Sequence, residues 1–339
     1  MIRYLYLVVL LCAACSSPQR ELRIYAWGDY FDPTTLREFE KRYHCQIVID
    51  TYDSNEAMYA KLKLGASGYD LLFPSNYFMS LLQQEEMLQP IDKARMPNLT
   101  TLDNRLMEMI HAEETPYGLP YLMTYTGLGY RKDRIADIQP SWTLFGHRAW
   151  RGRMTMVNDM REVLGAALLS LGYSINTSEP HEIDEAVELL IGWKRNLAKF
   201  ESEQYKNGLA SAEFILSQGY TGDILQVREE EPEVELALPR EGLMISIDFV
   251  AIPADAPHPE LANAFINFLY EATIAARNIE RTFYLIPNTA AYALLDPSLR
   301  DNNGLFPPDE ILQKSEVIRD IGPSIRLYNK AWSRVKAAD

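Results

Sequence analysis

The amino-acid sequence predicts an α/β fold built as two lobes, and three observations lead to this prediction. Apolar strands alternate with amphipathic helices from residue 22 to residue 87, and the alternation resumes after residue 121. Connections this short between the first strands are compatible only with parallel crossovers. The chain has 339 residues without a repeat, low-complexity run or long linker. Two lobes joined by crossing strands, as in a hinged clamshell, therefore fit the sequence best.

The elements of the first unit can be placed one after another. Asp32 and Pro33 have the residue types of an N-cap and a first helical position. Leu36, Phe39 and Tyr43 then recur at helical spacing. The predicted elements are a strand over 22–27, a helix beginning after Asp32, a strand over 46–52, a helix from Ser54 to Gly65, a strand over 69–74 and a helix over 75–87.

The second unit follows Tyr117-Gly118-Leu119-Pro120-Tyr121. Gly172 follows a helical pattern, where glycine commonly ends a helix. An apolar strand near residue 248 is interrupted by one aspartate. The predicted elements are an extended segment over 127–130, a strand over 154–157, a helix from Asp159 to Leu171, helices over 181–197 and 209–218, a strand over 244–252 and a helix from Pro259.

The first fifteen residues carry the features of a lipoprotein signal. Arg3 supplies a positive charge, Leu5 to Ala14 a short apolar core, and small residues precede Cys15. This stretch is too short to span a membrane, so residues 1–14 are predicted to be a signal peptide cleaved before a lipid-modified Cys15. Residues 15–21 would tether the domain to the outer face of a membrane. Ordinary secretion without a lipid is the alternative.

Composition limits the partners of the chain. The formal net charge is −14, which disfavours nucleic acid and favours cationic partners. Five scattered histidines predict no metal site. With residues 1–14 removed and Cys15 modified, Cys45 has no disulfide partner and is expected to be a small buried residue. Phosphate-binding, nucleophile-elbow and metalloprotease motifs are missing from the sequence, so neither an enzyme nor a cofactor is predicted.

Three acidic residues are candidates for binding a cation. Asp159 and Glu162 have the spacing of a capping box, but two carboxylates at a helix start beyond a strand could equally face a cleft. Asp248 lies inside the apolar run Met244 to Ile252, where a buried charge needs a partner. That partner is either a salt bridge or the ammonium group of a ligand.

Aromatic residues surround the predicted strand ends. Ligands of open parallel sheets bind beyond the carboxyl ends of strands, which selects the corners 27–30, 53–55 and 75–77. Core packing is the ordinary role of such side chains, whereas around an alkyl ammonium they would supply cation–π attraction. The candidate aromatic residues are Trp27, Tyr30, Tyr77, Tyr220 and Tyr284.

Over nearly all of residues 22–339 the chain resembles the spermidine/putrescine-binding components of bacterial ATP-driven polyamine importers. The most specific runs are Tyr52 to Lys63, Pro74 to Tyr77, Asp159 to Val163 and Asp248 to Ala254. The resemblance implies a type II periplasmic-binding-protein clamshell, each lobe a mostly parallel sheet flanked by helices. We expect lobe 1 to contain residues 22–123 and 247–291, and lobe 2 to contain residues 124–246 and 292–339.

The resemblance also assigns roles to residues. Asp159 and Glu162 match carboxylates that bind an ammonium group, and Asp248 matches the acid at the other end of the diamine. One wall would be formed by Trp27, Gly28, Tyr30, Ser75 and Tyr77, with Tyr284 as a further pocket residue.

Three positions depart from the spermidine-binding pattern. Tyr220 and Ser246 stand where tryptophans are expected, and Ile318 aligns with a glutamine. Putrescine is therefore at least as well supported as spermidine.

The expected partners are a polyamine, an ABC permease with its ATPase, and a membrane reached through the lipid anchor. The protein would be extracytoplasmic and monomeric. Three alternatives remain at this stage. The first is a binding protein for another cationic ligand or an amino acid, the second is a sensor or adhesin, and the third is an exported amine enzyme with Asp159 or Glu162 as base.

Overall fold

A computed structural model describes residues 20–52, 54–110 and 116–338. The predicted signal peptide over residues 1–14, the lipidation of Cys15 and the corner residue Asp53 lie outside these described residues. The predicted tether lies outside them too, except for its last two residues. Those two residues begin the first strand, which starts at Arg20.

The strands of the described residues form one mixed sheet. They are β1 (Arg20–Trp27), β2 (Cys45–Tyr52), β3 (Leu71–Leu72), β4 (Leu88–Gln89), β5 (Gly118–Arg131), β6 (Met154–Met156), β7 (Leu197–Phe200), β8 (Leu216–Tyr220), β9 (Val234–Ala237), β10 (Met244–Pro253) and β11 (Glu316–Val317).

Helices cover the sheet and connect its strands. They are α1 (Pro33–Tyr43), α2 (Asn55–Lys63), α3 (Asn76–Gln84), α4 (Asn104–Ile110), α5 (Met160–Leu171), α6 (Pro180–Lys194), α7 (Tyr205–Ala210), α8 (Thr221–Glu230), α9 (Pro259–Leu269), α10 (Ala272–Thr282), α11 (Thr289–Tyr292), α12 (Pro297–Arg300), α13 (Asp309–Leu312) and α14 (Ile325–Ala337).

The sheet has parallel outer parts and an antiparallel centre. Its main order is β2-β1-β3-β10-β5-β8-β6-β7, while β4 and β11 pair with β10 and β9 pairs with β5. β1 is parallel to β2 and β3, and β6 is parallel to β7 and β8. The long strands β5 and β10 run antiparallel through the middle. The predicted α/β class and its parallel crossovers are confirmed.

Local sequence signals explain several element ends. The Asp32 side chain accepts hydrogen bonds from the amides of Thr34 and Thr35, and Pro33 follows as the first helical residue. Ser54 likewise caps α2. Gly172 adopts a left-handed conformation (φ 79°) immediately after α5, as the glycine signal predicted.

The prediction of a helix over 209–218 is wrong. Helix α7 ends at Ala210, and residues Leu216–Tyr220 form strand β8. β8 is bonded on one side to β5 and on the other to β6, so nearly all of its residues are buried. The sequence of β8, LSQGY, has neither a continuous apolar run nor a regular apolar alternation, so its pairing with β5 and β6 rather than a local pattern makes it a strand.

Two clusters of buried apolar residues lie along the sheet. The first includes Leu22, Phe39 and Phe265, and the second includes Trp142, Leu164 and Tyr328. Each cluster consists of residues that are distant in sequence, because the chain passes back and forth between the two clusters. Cys45 is 3% exposed, which confirms the burial expected for it.

The two-lobe division remains a proposal, and the clusters suggest one adjustment to its boundaries. Residues Leu295, Leu305 and Val317 pack with the first cluster, although residues 292–339 were assigned to lobe 2. Ile318 packs with the second cluster. If the clusters are the cores of the lobes, the last passage between lobes falls between residues 317 and 318.

No helix in the described ranges is long and apolar enough to cross a membrane.

Candidate ligand-binding site

The register of the central strands gathers polar side chains on one sheet face. Thr126 of β5 lies opposite both Tyr220 of β8 and Met244 of β10, while Ser246 lies opposite Thr124. Directly opposed residues share a face, and so do residues two apart on one strand. The face therefore carries Tyr220, Thr124, Thr126, Ser246 and Asp248, three of which were predicted as site residues.

Asp248 is held by two uncharged hydroxyl groups. The Tyr30 hydroxyl donates to Asp248 Oδ2 at 2.7 Å, and the Ser75 hydroxyl donates to Oδ1 at 2.6 Å. Within the described ranges, no Lys, Arg or His nitrogen lies within ion-pair distance of this carboxylate, so the salt-bridge alternative is not supported. Burial raises the pKa of Asp248 to about 6, against the effect of both hydroxyls.

Asn55 organises the adjacent wall. It is 2% exposed, its Oδ1 accepts from the Ser75 amide at 3.0 Å, and its Nδ2 donates to the Ser75 hydroxyl at 3.1 Å and the Tyr77 hydroxyl at 3.0 Å. Ser75 is therefore fixed from both its main chain and its side chain. This explains why Ser75, the N-cap residue of α3, directs its hydroxyl to Asp248 rather than to the helix.

Trp27 is the last residue of β1 and Gly28 follows it, and both were predicted to belong to this wall. Trp27 Nε1 donates to the Phe73 carbonyl at 3.0 Å, and its ring packs edge-on against Tyr52. Gly28 is exposed, and a side chain there would meet no atom within 4 Å. Gly28 is therefore beside open space rather than in a tight backbone contact.

Asp159 and Glu162 form the second acidic group. Asp159 accepts from the amides of Arg161 (2.8 Å) and Glu162 (3.1 Å), so it is the N-cap of α5. The reciprocal half of the capping box is not formed. Glu162 Oε1 instead accepts from the Ser246 hydroxyl at 2.8 Å, and Glu162 Oε2 is buried without a hydrogen-bond partner among the described residues.

Burial sets the protonation of this acidic pair. Glu162 is 1% exposed, and burial together with the negative charge of Asp159 raises its pKa to about 7. The Ser246 hydroxyl, the charge of Arg161 and the nearby Thr126 hydroxyl act in the opposite direction, although Thr126 Oγ1 forms no hydrogen bond of normal geometry among the described residues. Burial also raises the pKa of Asp159, against the two amide hydrogen bonds. A cation placed here would favour the ionised forms.

A fourth carboxylate, that of Asp223, was not predicted. The hydroxyl of Tyr284 donates to its Oδ1 at 2.6 Å and that of Tyr205 to its Oδ2 at 2.7 Å, while Lys206 Nζ lies 3.6 Å from Oδ1. The Tyr205 hydroxyl also accepts from the amide of Tyr220. Asp223 therefore joins two predicted aromatic residues, Tyr220 and Tyr284, into one cluster.

Ile318 contributes no polar side-chain group. It is 2% exposed and packs in the second core cluster. Its main chain is nevertheless connected to the site, because Asn76, between Ser75 and Tyr77, donates from Nδ2 to the Ile318 carbonyl at 2.8 Å.

The residues that sequence reasoning missed are Asn55, Asp223, Thr126 and Tyr205. Asn55 lies in the strand-end corner and in the family-specific run from Tyr52, so a signal for it was present. Asp223 follows a strand that was predicted as a helix, which hid its position at a strand end. Within the described residues, no group of three or more His, Cys, Asp or Glu side chains is placed to hold a metal ion.

An open α/β sheet whose strands pass between two cores, with acidic and aromatic side chains at the passage, is the architecture of bacterial solute-binding proteins. The model of the bacterial extracellular solute-binding protein family matches residues 34–307. The chain belongs to this family.

Individual relatives narrow the comparison. The chain is 33% identical to a spermidine/putrescine-binding periplasmic protein of Salmonella typhimurium over 327 residues, covering 96% of this chain and 94% of the relative. It is 30% identical to the putrescine-binding periplasmic protein PotF of Escherichia coli over 343 residues, covering 95% and 93%. The crystal structure of the TpPotD lipoprotein of Treponema pallidum superposes with a TM-score of 0.84 at 31% identity, covering 93% and 99%.

Proposed function

We propose that the chain is an extracytoplasmic polyamine-binding protein that captures putrescine, spermidine or both between two lobes and delivers them to an ABC importer. The observation that carries the proposal is the environment of Asp248. Both of its oxygens accept from uncharged hydroxyls, and the described residues offer it no cationic partner. A primary ammonium group supplies the missing charge.

The opposite acidic group suits the second ammonium of the same ligand. Glu162 Oε2 has no partner among the described residues, and burial together with the negative charge of Asp159 raises the pKa of Glu162. An ammonium group there would satisfy an orphaned acceptor and relieve the repulsion. Two acidic ends with a half-buried aromatic wall between them match a linear diamine, whose methylenes the rings would cover.

The size of the ligand limits its affinity. Putrescine has six heavy atoms, and at most about 1.5 kcal/mol per atom gives roughly −9 kcal/mol. This corresponds to a sub-micromolar dissociation constant. Ser246 is engaged with Glu162, and Ile318 presents no polar side-chain group to a third amine. Both observations favour the shorter diamine.

The relatives support the transport role. Their names describe periplasmic proteins that bind spermidine or putrescine, and a structural relative from Listeria monocytogenes, 28% identical with a TM-score of 0.87, is described as part of an ABC transporter. We propose a permease and an ATPase as partners, a non-catalytic role and a monomeric state. The signal ending at Cys15 supports a lipid anchor, and the Treponema pallidum relative is also described as a lipoprotein.

A ligand panel tests this function. Purified protein lacking residues 1–15 is heated with putrescine, spermidine, spermine, arginine or buffer alone, since a ligand that binds the folded state raises the melting temperature. Putrescine or spermidine should give the largest increase, and calorimetry should give one site per chain. A larger increase with arginine, or none with any polyamine, would contradict the proposal.

A further inference from the structure

The chain passes between the two core clusters three times, at neighbouring positions of the sheet. β5 passes between Tyr125 and Leu128. β10 passes near its start, where Met244 packs with the second cluster while Leu243 and Ile245 on either side of it pack with the first. The chain passes a third time between residues 317 and 318, directly after β11. Met244 is paired with Thr126 on one side and with Glu316 on the other, so the three passages are neighbours.

We call residues 317–319 the strap. Two side chains from the part of the chain that forms the second core cluster, Asn176 and Arg161, bind the main chain of the strap. Asn176 Nδ2 donates to the Val317 carbonyl and Asn176 Oδ1 accepts from the Arg319 amide, both at 2.9 Å. Arg161 Nη1 donates to the Arg319 carbonyl, also at 2.9 Å. Arg161 belongs to α5, the helix that Asp159 caps, so the strap is attached to one acidic group of the site.

Asn76 binds the strap from the other side. Its Nδ2 donates to the Ile318 carbonyl at 2.8 Å, and this carbonyl lies between the two strap residues that Asn176 binds. Asn76 is the first residue of α3 and follows Ser75, whose hydroxyl donates to Asp248. The hydrogen bond of Asn76 thus connects the Asp248 end of the site to the strap. Arg161 connects the strap to the Asp159 end.

We infer that Asn76 is a positioning residue for ligand binding, holding the two acidic ends of the site at the spacing that the diamine requires. The inference rests on the proposed function. Asn76 does not bind the ligand itself and affects affinity only through the strap. Its hydrogen bond to Ile318 forms when both acidic ends face the same ligand. Its loss lets the two parts of the molecule separate more easily around the three passages, which mainly accelerates dissociation.

The test compares two asparagines that make the same kind of bond. Asn98 Nδ2 donates to the Asn267 carbonyl at 2.9 Å within the first part of the chain, away from the strap. Asn76→Ala and Asn98→Ala are measured with putrescine by calorimetry and stopped-flow fluorescence. Asn76→Ala should weaken binding about tenfold, mostly through faster dissociation, whereas Asn98→Ala should lower only the melting temperature. Binding and dissociation of Asn76→Ala within twofold of wild type would overturn the inference.

A ligand-free measurement separates this inference from the proposed function. Small-angle X-ray scattering should give a larger radius of gyration for Asn76→Ala than for wild type or Asn98→Ala, whatever the ligand is. Asn76→Ser, whose hydroxyl is too short to reach Ile318, should behave as Asn76→Ala does if the alanine variant does not fold. Wild type that binds no polyamine would contradict the function, whereas an unchanged radius in both Asn76 variants would contradict the inference.

Discussion

The two acidic ends of the candidate site are built differently. At the Asp248 end, each carboxylate oxygen accepts from a hydroxyl, and Asn55 fixes one of those hydroxyls in turn. At the Glu162 end, one oxygen accepts from Ser246 and the other has no partner among the described residues. The pKa is about 6 for Asp248 and about 7 for Glu162.

The Asp248 end is therefore a preorganised anchor for an ammonium group, whereas the Glu162 end is an incomplete one. Asp248 is oriented before a ligand arrives, so an ammonium group can bind there without rearranging the carboxylate. Glu162 is buried against Asp159, and its charge is fully compensated only when a cation is present. We therefore expect the Asp248 end to supply most of the affinity and the Glu162 end to supply most of the pH dependence.

The largest expected effect is that of Asp248→Asn. An ammonium left buried without its carboxylate should cost about 2–5 kcal/mol, a factor of about thirty to several thousand in the dissociation constant. Calorimetry with putrescine measures this loss, and Asp184→Asn, at an exposed site in α6, is the control.

The same variant makes a prediction about stability. Because burial raises the pKa of Asp248, the ionised carboxylate destabilises the ligand-free fold above about pH 6. Ligand-free Asp248→Asn should therefore melt at the wild-type temperature or higher at pH 8. A lower melting temperature together with lost binding would indicate general damage rather than loss of an anchor.

The pH dependence should be the next largest effect. A ligand cation binds the ionised carboxylates, so putrescine binding should weaken as the pH falls through about 7 for Glu162 and about 6 for Asp248. Each protonated carboxyl costs about tenfold per pH unit below its pKa. Calorimetry between pH 8 and pH 5 should show a loss of up to about a thousandfold, about a hundredfold from Glu162 and about tenfold from Asp248.

Without ligand, the sign reverses. Both pKa values lie above those of the unfolded chain, so the folded state takes up protons first and these groups make it more stable at pH 5 than at pH 8. Melting curves with and without putrescine should therefore shift in opposite directions with pH. In Glu162→Gln, the midpoint of the binding profile should move from near pH 7 toward pH 6, and an unmoved midpoint would assign the titration to another group.

The sequence alone predicted each of these two candidate ends but not the difference between them. Asp248 was identifiable because a charge inside an apolar strand requires a partner, and Asp159 because it starts a helix after a strand. Ser246 was read as a missing tryptophan. Its bond to Glu162 depends on how β10 packs against α5, which no local pattern encodes.

Asp223 shows a second limit of sequence reasoning. Asp223 lies near the end of strand β8, which was predicted as part of a helix. Pairing with β5 and β6 makes this segment a strand. The pairing is nonlocal, since β5 and β8 are separated by about eighty residues of chain. Elements with clear caps, such as α1 and α5, were predicted correctly because their signals are local.

Asp223 provides a smaller, paired test. Tyr284 and Tyr205 each donate a hydroxyl to its carboxylate, but Tyr284 is half-buried whereas Tyr205 is fully buried. Tyr284→Phe should weaken putrescine binding about five- to tenfold, because a wall residue loses the bond that orients it. Tyr205→Phe should lower the melting temperature and leave affinity within about twofold. Equal losses of affinity would place Asp223 itself, rather than Tyr284, against the ligand.

The smallest effect should be that of Ser246→Ala, set beside Ser75→Ala. Each variant removes one hydroxyl that donates a hydrogen bond to a carboxylate. Ser246 donates to Glu162, and Ser75 donates to Asp248. Near neutral pH Glu162 is partly protonated, so its lost hydrogen bond should cost about threefold in affinity, whereas the loss at ionised Asp248 should cost about tenfold or more. Calorimetry at pH 7 measures both.

The pH profile then distinguishes the two ends. Without the Ser246 hydroxyl the pKa of Glu162 rises further, so the binding profile of Ser246→Ala should move to higher pH. Ser75→Ala should instead move the part of the profile near pH 6. If Ser246→Ala weakened binding more than Ser75→Ala at pH 8, where both carboxylates are largely ionised, Glu162 rather than Asp248 would be the principal anchor.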